Sequence, residues 1–122
     1  MRHTHADWIP RQDDHARTLS ARGQDEARRL GFWLKKSGHL PHHALVSDSK
    51  RTYQSFAALK LTCAVDLVAQ LYLAEPPSLR AAINAQCHNQ CLLLLAHNPG
   101  LAELANALIQ TPPANAAFYT YP

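Results

Sequence analysis

Two histidines stand where an imidazole can do chemistry. His97 directly follows the apolar run Leu92-Leu93-Leu94-Leu95-Ala96, and His3 sits beside Arg2 at the start of the chain. Arg51 falls in the first turn of a helix that follows Val46-Ser47. In open α/β sheets, ligands bind beyond the carboxyl ends of strands, where helix N-termini also point. Two imidazoles and several guanidiniums gathered there make a phosphate site, because the guanidinium fork matches phosphoryl oxygens. Each residue alone has a plainer reading: His97 as a hydrogen-bonding residue at a strand end, Arg51 as a solvated cation. A metal reading competes, since His3-Thr4-His5-Ala6-Asp7 also fits the H-x-H-x-D spacing of metallohydrolases. Cys87 and Cys91 are spaced C-x3-C, but one pair makes only half a site.

The elements that must position these groups follow from the apolar pattern. A helix is expected over residues 20–37, with Ser20 as N-cap, Ala27, Leu30, Gly31 and Leu34 on one face, and Gly38 ending it. Ala44-Leu45-Val46 reads as a short strand feeding a helix over 49–59. Residues 65–72 read as a further strand, and Pro76-Pro77-Ser78 opens a helix to about residue 85. The unbroken run 91–96 suits a parallel strand covered on both faces and is expected at the sheet centre. Asn98 is placed to cap a helix with Pro99 in its first position. Strand and helix alternate, which predicts a three-layer α/β/α domain with a mostly parallel sheet, residues 1–122 forming one domain.

Composition excludes several classes. With 122 residues, 47% of them hydrophobic and 17% charged, the chain suits one folded domain rather than a disordered segment. No apolar run reaches the length of a membrane helix, and the first twenty residues are polar, so a cytoplasmic protein without membrane association is expected. Three cysteines without framework spacing fit a reducing compartment. A net charge of +3 is too small to imply a nucleic-acid partner. All twelve Lys and Arg lie between Arg2 and Arg80, and only Glu103 is charged beyond that point, so any anion site draws its cations from the first two thirds.

Four ordered segments carry a family resemblance. Arg2-His3-Thr4-His5-Ala6-Asp7 resembles the Arg-His signature of the histidine phosphatase superfamily, which has the phosphoglycerate mutase-like fold. Arg17-Thr18-Leu19-Ser20-Ala21-Arg22-Gly23 resembles the segment that follows it. Residues 47–55 resemble the segment carrying a phosphate-binding arginine, and Ala96-His97-Asn98-Pro99-Gly100-Leu101 resembles the second-histidine motif. This last form, with the short chain, is similar to the SixA-type phosphohistidine phosphatases.

The resemblance implies a metal-independent phosphatase with no cofactor, acting through a phosphohistidine intermediate on His3. Arg2, Arg51 and His97 would hold the phosphoryl oxygens, and Arg17 and Asn98 would bind substrate. No general acid is fixed by the motifs; the candidates are Glu75, since larger members use a carboxylate after a later strand, and Asp7, which is close to His3 in sequence. The substrate implied is a phosphohistidine on a protein, with small phosphate esters as the alternative; a second alternative is a degenerate domain that binds phosphorylated partners without turnover. The sequence departs from the family in three places. Only Met1 precedes the Arg-His pair, so the first strand is apparently lacking; the C-terminal end also looks cut; and Ala96 replaces a glycine. An edge left open by the first strand would leave the protein a monomer or allow it to pair as a dimer.

Overall fold

The computed structural model describes residues 1–86, 91–109 and 118. Four helices and three strands alternate along the chain: α1 (Ala21–Lys36), β1 (His43–Ser47), α2 (Lys50–Leu59), β2 (Ala64–Val68), α3 (Pro76–Asn84), β3 (Leu92–Leu95) and α4 (Gly100–Leu108), with a 3-10 turn at Ala69–Leu71 after β2. The strands form a parallel sheet in the order β2-β1-β3. Parallel neighbours need crossover helices, which is why every strand here is followed by a helical segment before the next.

Side chains alternate across the pleat, and the core divides accordingly. Leu45 and Leu94 face one side, where they pack with Leu71, Leu79 and Leu104. Ala44, Val46 and Leu95 face the other, with Leu59 of α2 and the half-buried Leu30 and Leu34 of α1. Helices α3 and α4 therefore cover one face and α1 and α2 the other, giving the three layers. Helix α1 starts on its expected cap: the Ser20 hydroxyl accepts from the Gly23 amide at 3.0 Å. Gly38, at φ +75°, follows the helix in the left-handed conformation that glycine adopts without strain. Among the described residues, no helix is long and apolar enough to cross a membrane.

The structure corrects four sequence expectations. The sheet centre is β1, not the leucine run. Beside β3 the chain start lays down only a stub of parallel pairing, with Arg2 opposite Ala96. The Ala96 amide donates to the Met1 carbonyl at 3.1 Å, the His3 amide to the Ala96 carbonyl at 3.2 Å, and the Met1 ammonium to the Leu94 carbonyl at 2.6 Å. Beyond Met1, a cavity of about 400 Å³ lies against Leu92, Leu94, Leu101 and Leu104. Second, the strand expected over 65–72 stops at Val68 and turns into the 3-10 segment, which carries Leu71 into the core and Tyr72 past the strand's carboxyl end. Third, Asn98 does not cap α4: its amide donates to the Phe118 carbonyl at 3.3 Å. Fourth, Pro99 is the capping residue itself rather than the first helical one. Cys87, and the C-terminal end apart from Phe118, lie outside the described residues.

Candidate active site

The carboxyl ends of β1, β3 and the N-terminal stub point the same way, and their next residues meet. His3 leaves the stub one residue after the Arg2–Ala96 bridge, and His97 leaves β3 directly after Ala96. Their ring centroids are 5.3 Å apart. The Nδ1 of His3 lies 2.7 Å from the Thr4 carbonyl, which can only accept, so Nδ1 carries the proton and Nε2 keeps its lone pair. Thr4 itself is buried and tied to α2, its amide donating to the Ser55 hydroxyl at 3.1 Å. Burial lowers the His3 pKa to about 4; the Thr4 bond opposes this, and the charges of Arg51, Arg2 and Arg17 add to it. The ring is therefore neutral at pH 7, and removal from water outweighs the cations in keeping it so.

His97 is 2% exposed and both its ring nitrogens are engaged. A guanidinium can only donate, so Nδ1 accepts from Arg51 Nη2 at 3.3 Å, and Nε2 donates to the Ser47 hydroxyl at 2.9 Å. Burial, then the Arg51 charge, lowers its pKa to about 3. Ser47 ends β1, so the partner of His97 is set by the same strand that launches α2 and Arg51.

Arg51 is buried in the first turn of α2, with its guanidinium reaching the loop before α1. Nη1 donates to the Asp14 carbonyl and Nη2 to the Asp14 carboxylate at 2.9 Å. The buried Nε has no hydrogen-bond partner among the described residues. Asp14 also accepts from Arg17 Nη1 at 3.0 Å and from the Tyr72 hydroxyl at 2.6 Å. These donors hold its carboxyl well below the ordinary range, the Tyr72 bond contributing most. Tyr72 stands edge-on to His97 at 5.2 Å and to His15 at 4.8 Å. The His15 Nε2 lies 2.9 Å from the Asp48 carboxylate.

The structure thus brings His3, His97 and Arg51 into one cluster, with Arg17 joined to it through Asp14. Arg2 acts on His3 through its charge and also lines the cavity beside Met1. Asn98 lines that same cavity. Asp7 is exposed and contributes its backbone, whose carbonyl accepts from Arg17 Nε at 2.9 Å. Glu75 is exposed at the start of α3 and makes no capping bond. His3 and His5 do not form a paired site: residues two apart in an extended strand would share a face, but here the His5 ring turns away to the Ser20 hydroxyl at 2.8 Å. Among the described residues, no cluster of three or more His, Cys, Asp or Glu side chains is arranged to hold a metal.

Sequence reasoning missed Asp14, His15, Asp48, Ser47 and Tyr72. Asp48 and Ser47 lie in the Arg51 segment, and their place after a strand's carboxyl end was a usable signal. So was that of Tyr72, once β2 is seen to end at Val68. Asp14 and His15 sit in a loop with no periodicity, where only their proximity to Arg17 marks them.

No protein-family profile matches the sequence. An uncharacterized protein of Mycobacterium tuberculosis is 30% identical over 118 residues, covering 96% of this chain and 75% of its own length. A SixA structure from Nakamurella multipartitia is 30% identical with a TM-score of 0.75, covering 85% of this chain; the chain spans 60% of that protein's length. The protein histidine phosphatase SixA complexed with tungstate is 25% identical with a TM-score of 0.79, covering 93% of this chain and 78% of its own. The three-layer fold is shared with these SixA structures, and together with the ordered Arg-His, Arg51 and His97 segments they place the chain in the histidine phosphatase superfamily, in its SixA-type branch.

Proposed function

We propose that this protein is a metal-independent phosphatase that transfers a phosphoryl group to His3 and then to water, with phosphohistidine on a protein as the favoured substrate. The observation that carries this reading is the state of His3: a neutral imidazole whose Nδ1 proton is given to the Thr4 carbonyl, leaving Nε2 as the nucleophile. Arg51 and Arg2 neutralise the phosphoryl oxygens, His97, itself neutral, orients the Arg51 guanidinium through Nδ1, and Arg17 contributes from the rim. Phosphoryl transfer needs an in-line nucleophile and positive charge at the equatorial oxygens, and a set of guanidiniums supplies that charge without a metal. As the site stands, Asp14 occupies the Nη1 and Nη2 donors of Arg51, so an arriving phosphoryl group exchanges places with the carboxylate at the guanidinium. One solved SixA relative holds tungstate, a tetrahedral oxyanion of phosphate shape. That relative is a protein histidine phosphatase, which favours a phosphorylated imidazole over a metabolite here.

The test is turnover of a phosphohistidine-bearing protein and of an aryl phosphate by wild type and His3→Ala. Wild type is expected to hydrolyse both, and the variant neither. Binding of the phosphoprotein without hydrolysis would favour a phosphate-recognition domain instead. Full activity of His3→Ala would remove His3 from the reaction.

A further inference from the structure

Transfer to His3 solves only the attacking side of the reaction. The leaving atom, on the opposite face of the phosphorus, must receive a proton to depart as an alcohol or a neutral imidazole. The described groups around the site can be sorted by whether they can give one. Asp14 is held ionised by three donors. The Tyr72 hydroxyl spends its proton on Asp14, and burial followed by that carboxylate pushes its pKa up. His3 and His97 are held neutral by burial and have their N–H groups bonded to Thr4 and Ser47. Asp7 and Glu75 are exposed and touch none of these side chains.

His15 is what remains, and its setting is specific. Its ring packs against Tyr72, which packs against His97, so it sits one ring beyond His97, with its side chain 40% exposed. Its backbone is fixed to the start of α2, the Lys50 amide donating to the His15 carbonyl at 3.1 Å. Its Nε2 is fixed to Asp48 at 2.9 Å, and its Nδ1 has no partner among the described residues. An imidazole oriented by a carboxylate through one nitrogen, with the other left open, is an arrangement that can give and retake a proton.

We infer that His15 is the proton donor to the leaving group and Asp48 its positioning residue. The inference rests on the phosphatase reading of the same site. In the first step, the His3 Nε2 lone pair forms the N–P bond. The bond from phosphorus to the leaving oxygen or nitrogen breaks, its electron pair going to that atom, which takes the proton from His15 Nδ1. In the second, water attacks phosphorus while His15 Nδ1 takes a proton from it. The N–P bond breaks with its pair returning to His3, releasing phosphate and restoring protonated His15.

The experiment compares phenyl phosphate, whose leaving group needs a proton, with p-nitrophenyl phosphate, whose leaving group needs one far less. Rapid-quench labelling of His3 is followed for wild type, His15→Asn and Asp48→Asn. The loss in His15→Asn should be greater on phenyl phosphate by on the order of 10², within the range of a positioned acid. Asp48→Asn should show the same bias to a smaller degree. Both substrates slowed equally in His15→Asn would overturn the inference, because a merely structural residue does not distinguish leaving groups. Absence of label on His3 in wild type would overturn the phosphatase reading itself and the inference with it.

Discussion

The sharpest consequence of the proposed role of His3 is a nucleophile that stays competent in acid. An imidazole of ordinary pKa 6.5 is about 3% neutral at pH 5, whereas one lowered to about 4 is about 90% neutral there. Phosphorylation of His3 by p-nitrophenyl phosphate, whose leaving group needs little proton donation, should therefore run at pH 5 about 30-fold faster, relative to its rate at pH 8, than an unperturbed histidine allows. The assay is rapid-quench formation of the phosphoenzyme between pH 4 and 8, corrected for protonation of the substrate dianion. The same shift has an opposite effect on stability. Because the unfolded chain takes up a proton at pH 6.5 that folded His3 refuses until about pH 4, stability is intact above 6.5 and declines as pH falls toward 4. The loss from His3 is roughly 3 kcal/mol at its limit, at 1.36 kcal/mol per pKa unit. His97, lowered to about 3, acts in the same direction over a wider range. Melting at each pH separates unfolding from loss of the nucleophile. An acid limb of the phosphorylation rate centred near pH 6.5, in protein still folded by that criterion, would refute the burial argument.

Three substitutions probe the supports of the site. Ser47→Ala leaves the buried Nε2 proton of His97 only the more distant Ser49 hydroxyl at 3.5 Å and should cost about 1–3 kcal/mol, a fall in melting temperature of roughly 4–10 °C. Gly23→Ala places a methyl 1.9 Å from the His5 carbonyl oxygen, so α1 and the segment carrying His3 must separate; a loss of about 1–3 kcal/mol is expected with a disproportionate fall in phosphorylation rate. Arg51→Ala should lower the rate of phosphoryl transfer by about 10²–10³, the range for one preorganised donor, and near wild-type turnover would remove it from the phosphate site.

The alternation of strand and helix, and the two faces of the core, were legible because burial imposes its period on the sequence. Leu45 and Leu94 pack on one side and Val46 and Leu95 on the other, as the pleat requires. The order of the strands was not legible, since three short apolar runs carry no record of their neighbours; only pairing shows that β1 lies between β2 and β3. The residues proposed to bind phosphate were recognisable where a strand end gave them a position, as with Arg51 and His97. Asp14 and His15 were not, because a loop that wraps back onto Arg51 and Tyr72 makes its contacts across long sequence separations. The cause of the His3 shift was likewise hidden: the cations are visible in sequence, but the burial that dominates them is a property of packing.

The central claim is a phosphoryl group carried on His3, and trapping it is the most direct test. Wild-type protein mixed with an aryl phosphate and quenched in base should gain the mass of one phosphoryl group. The adduct should be stable to base and labile to acid, as a phosphoramidate is, and peptide mapping should place it on His3. A label on any other residue, or steady hydrolysis in which no phosphoenzyme ever forms, would contradict the account.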